Sequence, residues 1–274
     1  MLINKWFSKP VMNSEAVLYF RKGFISYITL NRPRVLNALN REAWSGLYEC
    51  LCRAERDDGV RAVIITGSGR AFCSGDDLKE VASLRTPGEV REFFMKYALP
   101  AVAKIIEIPK PVIAAVNGLA YGGGCEIVMI CDIVVASDDA SFALPEARVG
   151  AIPPIASTIG VHVIGKLNVS MMALTGMPLT AEESYRIGLV NLVVPPEKLM
   201  ETAEEAAKNT AMASPSSVKA VKKLLNRGVL EEVSKALEKL IAVSQSEEGK
   251  EGCRAFVEKR LPAWTKPVSK LELE

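Results

Sequence analysis

The chain has 274 residues, 49% hydrophobic and 24% charged, an ordinary globular balance with enough length for a sizeable core in one or two domains. A net charge of +2, with no basic run longer than a pair, argues against nucleic acid as the main partner. No apolar stretch reaches the ~18 residues of a membrane span, and the N-terminus lacks a secretory h-region, so no membrane partner and a cytoplasmic location are expected.

Residues 1–14 read as a loose lead-in. Stretches 16–20 and 24–30 are apolar and β-branched or aromatic, split by Arg21-Lys22-Gly23, which predicts a hairpin. Residues 31–40 form a loop carrying Arg32 and Arg34 beside the rigid Pro33; such arginines serve either a solvated turn or a phosphate clamp. Asn40 is placed to cap a helix over 41–56, with Trp44, Leu47, Cys50, Leu51 and Ala54 on one face. Residues 60–66 read as a buried strand. It runs into the glycine-rich segment Gly67-Ser68-Gly69-Arg70 and on through Gly75-Asp76-Asp77-Leu78-Lys79-Glu80 to a short helix. Thr86-Pro87-Gly88-Glu89 is a capping box with proline at the first helical position. The helix it starts runs towards Ile106, and Pro100 should kink or divide it.

Residues 112–116 are an unbroken apolar run, the pattern of a strand buried on both faces. Asn117-Gly118 marks a turn, and Gly122, Gly123 and Gly124 lead into a second buried helix. A helix start presents unpaired N–H groups at the positive end of the dipole, and glycines leave them open to a ligand oxygen. Two ligands fit: a phosphate, or a carbonyl oxygen that becomes negative during reaction. The G-x-x-x-x-G-K-[S/T] and G-x-G-x-x-G patterns are absent, and Glu126 in the first turn would repel a phosphate. Close helix–strand packing alone would also explain the glycines. Gly75-Asp76, after the earlier strand, could present a second converging N–H.

Residues 133–136 and 141–143 read as short strands, followed by Glu146 on a loop after Pro145. Thr180 and Glu183 form another capping box, Gly188 ends that helix, and 189–194 is a last strand. Beyond about 196 strand signals stop. Amphipathic helices follow over about 197–213, 215–227, 229–245 and 247–260, and they should pack on the core or on another subunit. The division expected is an α/β core over 1–195 and a helical region over 196–274. The six cysteines include no C-x-x-C pair, so reduced thiols are expected rather than a zinc site. His162 is the only histidine; its apolar surroundings in sequence predict a packed side chain rather than a catalytic one.

The order of these motifs resembles the enoyl-CoA hydratase/isomerase (crotonase) family over about residues 16–264. The pieces are Leu30-Asn31-Arg32-Pro33 with Leu36-Asn37-Ala38-Leu39, Ala71 through Glu80, Lys110 through Gly118, Gly122 through Glu126, Pro145-Glu146 and Gly188-Leu189-Val190, with Lys250-Glu251-Gly252 and Phe256 through Arg260 in the tail. The resemblance implies an α/β fold, a spiral of repeated β-β-α units with a C-terminal helical region. That region would form a homotrimer or dimer of trimers and contribute to the coenzyme A (CoA) site. It places an oxyanion hole on the N–H groups of Asp76 and Gly123. CoA contacts would fall on Arg32 and Arg34, the second being the better candidate, and on Asp76, Asp77, Leu78 and Lys79. It makes Glu126 and Glu146 the catalytic pair, Glu126 helping to activate water and Glu146 handling the Cα proton of a 2-enoyl thioester. Members limited to double-bond isomerisation commonly keep only the second carboxylate, so hydration is the expected reaction. Isomerisation or thioester hydrolysis on the same fold is the alternative, and a non-catalytic RNA-binding or scaffold role is a more distant one. No metal or redox cofactor is implied; CoA belongs to the acyl-CoA substrate. Two departures stand out. Pro154 occupies a place where glycine is common and removes an N–H, and Asp77 replaces a small residue at the pocket mouth.

Overall fold

A computed structural model describes residues 15–265; the lead-in expected over 1–14 lies outside them. Among the described residues, ten strands form two sheets. The larger contains β1 (Val17–Lys22), β2 (Ile25–Leu30), β3 (Ala62–Gly67), β5 (Val112–Val116), β7 (Ile133–Ser137) and β10 (Leu192–Val194), adjacent in that order. The smaller contains β4 (Ala71–Cys73), β6 (Leu119–Tyr121), β8 (Ser141–Ala143) and β9 (Leu179–Thr180). The β1–β2 pair is the antiparallel hairpin expected from sequence, with Gly23 at φ 61° in its turn. The other pairings of the larger sheet are parallel.

From β3 to β8 the chain visits the sheets alternately. Each turn lays one strand in the larger sheet and one in the smaller, and two of these turns then enter a helix. Leu78–Ser83 follows β4 and Gly123–Ile130 follows β6, while the turn Glu146–Val149 follows β8. Strands β4, β6 and β8 are parallel neighbours, with Cys73 beside Ala120 and Tyr121 beside Ala143. Their C-terminal ends therefore lie side by side. Three segments far apart in sequence meet at one edge.

The middle strands of the larger sheet are covered on both sides, which explains their unbroken apolar runs. One face meets the main core, where Ile65, Ala114 and Val134 pack with Trp44, Phe72 and Ile127. The other meets the helix Leu199–Ala211 through Ile64, Ala115, Val135, Ala203 and Ala207. The helical caps form as expected. Asn40 Oδ1 accepts the Ala43 N–H at 2.9 Å, and Thr86 with Glu89 and Thr180 with Glu183 close two capping boxes. Pro100 does divide its helix. A π-helical stretch, Phe93–Ala98, separates Pro87–Glu92 from Leu99–Glu107, and Pro100 stands in the first turn of the last piece, where its missing N–H is not needed.

The C-terminal helices begin close to where the sequence places them. Val233, Leu237, Leu240 and Ile241 of the helix Val229–Ser244 are buried in this chain's own main core. These faces pack on the core rather than waiting for another subunit. His162 is exposed, not packed as its neighbours in sequence predict. Among the described residues, no helix is long and apolar enough to cross a membrane.

Candidate active site

Beside the three strand ends lies a cavity of about 690 Å³. Its walls come from all parts of the chain. Gly75 and Asp76 follow β4, Gly122, Gly123 and Glu126 follow β6, and Pro145 and Glu146 follow β8. Gly75 has φ +89°, and a Cβ on it would stand 3.0 Å from both the Gly123 nitrogen and the Tyr121 oxygen. The two glycine segments thus run backbone against backbone, which a side chain would prevent. The Asp76 N–H enters no backbone hydrogen bond of the described residues, and the Gly123 N–H opens the helix Gly123–Ile130, where it has no intrahelical acceptor. Two unused donors face the same space.

Gly122 takes φ +54° and ψ −129°, a conformation essentially confined to glycine. Its N–H donates to the Ala143 oxygen at 2.9 Å, extending the β6–β8 pairing and aiming the helix start at the cavity. Glu126, in the first turn, is 5% exposed. Its Oε1 accepts the N–H groups of Ile155 at 2.6 Å and Ala156 at 2.9 Å. Pro154 therefore withholds no donor from Glu126, because both donors follow it in the chain. Burial pushes the Glu126 carboxyl well up, the Glu146 charge adds to that, and the two N–H groups oppose it.

Glu146 has a different environment. Both its carboxyl oxygens are buried without a hydrogen-bond partner. Burial pushes its pKa up to about 8 against the pull of its own nearby N–H, which lacks hydrogen-bond geometry, and the Asp76 charge raises it further. Glu146 Oε1 lies 3.4 Å from the point where a Cβ on Gly122 would sit, so it borders the glycine segment directly. Two carboxyls in one buried site do not both ionise easily, and the pair is suited to holding one proton. Backbone donors favour the charge on Glu126, while unpartnered oxygens favour the proton on Glu146. The Cys125 thiol, buried beside both glutamates, is itself pushed well above its usual range and is no nucleophile at neutral pH.

The cavity has a cationic mouth and an apolar end. Arg34, Arg70 and Lys79 are exposed at the mouth. Trp44, Phe94, Ala98, Val102, Leu237 and Leu240 line the other end. Arg32 is not on the wall; its guanidinium donates to the Ala38 oxygen at 2.5 Å and pairs with Asp77 at 2.9 Å. Asp77 borders the cavity, but its carboxylate is held by Arg32 and by capping the Lys79 N–H. The side chain that enters the pocket is that of Asp76, whose Oδ1 accepts the Trp44 indole N–H at 2.9 Å. Leu78 and Lys79 begin the short helix on the wall.

From sequence, Arg70, Trp44 and the Ile155 and Ala156 donors are given no place in the site. Arg70 carried a signal, a lone basic residue inside a glycine-rich turn. The backbone donors carried none, since any residue but proline supplies an N–H. Asparagines fasten the loops. Asn37 Nδ2 donates to the Ser68 and Ala71 oxygens, and Asn117 Oδ1 accepts the Gly67 N–H, tying the Arg34 loop and the Arg70 turn to β4.

Paired buried carboxyls beside two free N–H groups, on a spiral of β-β-α turns, are the groups that acid–base chemistry next to an activated carbonyl would need. A model of the enoyl-CoA hydratase/isomerase family matches residues 21–267, and the chain belongs to that family. It is 36% identical over 260 residues to a probable enoyl-CoA hydratase of Mycobacterium bovis, covering 93% of this chain and 99% of that one. It is 37% identical over 255 residues to the short-chain-enoyl-CoA hydratase of Clostridium acetobutylicum, covering 91% and 97%. The crystal structure of an enoyl-CoA hydratase/isomerase from Mycobacterium paratuberculosis superposes with a TM-score of 0.81 at 29% identity, covering 89% of this chain and 99% of that one. The fold is the crotonase fold.

Proposed function

We propose that this chain is an enoyl-CoA hydratase, adding water across the 2,3 double bond of a 2-enoyl-CoA to give a 3-hydroxyacyl-CoA. The observation that carries the reading is the placement of Glu126, buried, and Glu146, whose carboxyl oxygens are buried, beside the unused N–H groups of Asp76 and Gly123. The thioester oxygen accepts those two N–H groups, which favour the enolate charge that builds as Cβ is attacked. Charged Glu126 takes a proton from water as its oxygen bonds to Cβ. Protonated Glu146 delivers its proton to Cα. One turnover leaves the proton on Glu126 and the charge on Glu146, and redistribution within the pair restores the start. Acid, base and oxyanion donors all come from the chain, so the proposed reaction asks for no metal or redox group, and CoA arrives as part of the substrate.

The CoA phosphates are assigned to the mouth, with Arg34 as principal contact, Arg70 and Lys79 beside it, and the Asp76–Lys79 segment along the adenine and pantetheine. Arg32 supports this segment by holding Asp77 rather than by meeting phosphate. The test is incubation with 2-enoyl-, 3-enoyl- and 3-hydroxyacyl-CoA esters, products identified by mass. Gain of one water on 2-enoyl-CoA alone supports the reading; isomerisation or free CoA without hydration overturns it.

We also propose a homotrimer or dimer of trimers. Its support is a set of exposed apolar residues, since those of Val229–Ser244 are buried in the chain's own core. Leu224 and Leu225 are 72% and 75% exposed on one helix, and Leu167 and Leu174 are 82% and 80% exposed on another. Sedimentation as a monomer at micromolar concentration would sink this. A cytoplasmic setting is proposed from composition and from Cys50, Cys73 and Cys125 being buried free thiols.

A further inference from the structure

Asp76 offers more than its N–H. Its Oδ1 is occupied by the Trp44 indole, but its Oδ2 has no hydrogen-bond partner among the described residues. That atom lies 3.9 Å from the point where a Cβ on Gly123 would sit, beside the two free N–H groups. The residue lines the cavity, and Trp44, to which it is tied, belongs to the apolar end. The apolar end of the cavity, where Trp44 stands, therefore adjoins an open carboxyl oxygen of Asp76. The residue is half-buried, and burial pushes its pKa up to about 6, against the pull of the Trp44 N–H. At neutral pH it is mainly charged.

A plain alkyl chain would displace water from Oδ2 and return nothing, leaving a buried acceptor unpaired. It would also leave an uncompensated negative charge near the thioester oxygen at the moment that oxygen becomes negative. A hydrogen-bond donor on the acyl group removes the first penalty and lessens the second. Its position follows from the geometry. With the thioester oxygen on the Asp76 and Gly123 N–H groups, the carbons just beyond Cβ are those that pass the Asp76 side chain on the way to Trp44.

We propose that Asp76 is a specificity-determining residue that selects 2-enoyl-CoA esters whose acyl group carries a hydroxyl donor on the first or second carbon beyond Cβ. This rests on the hydratase reading and extends it to a substrate class. The Trp44 N–H fixes the carboxyl so that Oδ2 is offered in one direction.

The test compares trans-2-butenoyl-CoA with trans-4-hydroxy-2-butenoyl-CoA, and 2-pentenoyl-CoA with 5-hydroxy-2-pentenoyl-CoA, on the full chain. At least one hydroxyl ester is expected to exceed its alkyl match in kcat/KM by about ten- to a hundredfold, as where a site's polar group would otherwise go unpaired. Asp76→Ala keeps the N–H and removes the carboxyl, and should bring that ratio to about one or below. Trp44→Phe frees the carboxyl to turn and should reduce the ratio without abolishing it. Ratios near or below one in the wild type, or a preference that survives Asp76→Ala, overturn the proposal. If no ester is hydrated, the hydratase reading fails separately. Kd ratios for the same pairs, measured in a Glu146→Gln background where turnover does not interfere, then decide the role of Asp76: a preference for the hydroxyl ester lost on adding Asp76→Ala sustains it, and equal Kd values reject it.

Discussion

On the proposed mechanism, removing either Glu126 or Glu146 should abolish most hydration, but the two removals should differ sharply in stability. Glu126 accepts two buried backbone N–H groups, from Ile155 at 2.6 Å and Ala156 at 2.9 Å. Glu126→Ala leaves both without an acceptor. At about 1–3 kcal/mol for each buried donor left unpaired, the loss is about 2–6 kcal/mol, towards the low end where water enters the emptied space. Glu146 accepts nothing through its side chain. Glu146→Ala breaks no hydrogen bond and removes a buried carboxyl, so stability should stay within about 1 kcal/mol of the wild type or rise. Glu126→Gln keeps an oxygen where Oε1 stands and should recover stability without recovering rate. Urea unfolding of the wild type and three variants, at one protein concentration, gives the comparison. Hydration is read from loss of enoyl-thioester absorbance. If Glu146→Ala destabilises as much as Glu126→Ala, the hydrogen bonding assigned to the pair is wrong.

Glu126→Ala and Glu146→Ala should each lower hydration by about 10²–10⁴-fold, and the double variant should fall well short of the product because the residues act as a unit; a fully multiplicative loss would separate their roles. Arg34→Ala should raise KM for the CoA ester more than it lowers kcat, since phosphate contacts far from the reacting carbons serve ground and transition states alike. An unchanged KM with a large fall in kcat would contradict that. Burial raises the Glu146 pKa from 4.5 to about 8, so hydration should decline above about pH 8 as the acid form is lost, and should also fall on acidification as Glu126, itself raised by burial, loses its charge. The same shift makes the folded chain hold a proton that the unfolded chain releases. The Glu146 contribution to stability is then fully present below 4.5 and lost as pH rises through about 8, so Glu146→Gln should gain on the wild type across that window in urea unfolding. Gly122→Ala should cost roughly 1–3 kcal/mol by forcing a side chain into a glycine conformation, and its Cβ would sit 3.4 Å from Glu146 Oε1; unchanged stability would show that the turn relaxes.

Local chemistry explains what could be read without coordinates. Asn40, Thr86 and Thr180 cap their helices as expected because a cap needs only three or four consecutive residues. The strand pattern was legible for the same reason, since β5 and β7 carry burial on both faces in their own composition. The site was legible mainly through resemblance. Nothing in the spacing of Asp76, Gly123 and Glu146 states that β4, β6 and β8 lie in parallel beside one another. Arg32 and Arg34 look alike as arginines flanking Pro33, yet one pairs with Asp77 and the other faces the cavity mouth. The distinction depends on Asp77, 45 positions after Arg32 in the chain. Asp76 and Asp77 are equally ambiguous until one is seen to meet Trp44 and the other to cap a helix.

The C-terminal helices give that argument its last step. The helix Glu247–Val257 crosses the Glu146 turn with backbone against backbone. A Cβ on Gly252 would overlap the Val149 oxygen, and one on Gly150, which has φ +69°, would overlap the Glu248 oxygen. Glycine on both sides lets the elements approach this closely, and neither can shift alone because backbone, unlike a long side chain, has no alternative rotamer. The same helix lends Cys253 and Phe256 to the cavity wall, and its neighbour lends Leu237 and Leu240. A region that reads in sequence as an appendage thus holds the turn that carries an unpartnered carboxyl. That support matters most for Glu146. Glu126 is anchored by two hydrogen bonds, whereas Glu146 has no side-chain hydrogen bond to fix it and depends on the rigidity of its turn. The alignment of the two carboxyls is therefore a property of the core and the helical region together.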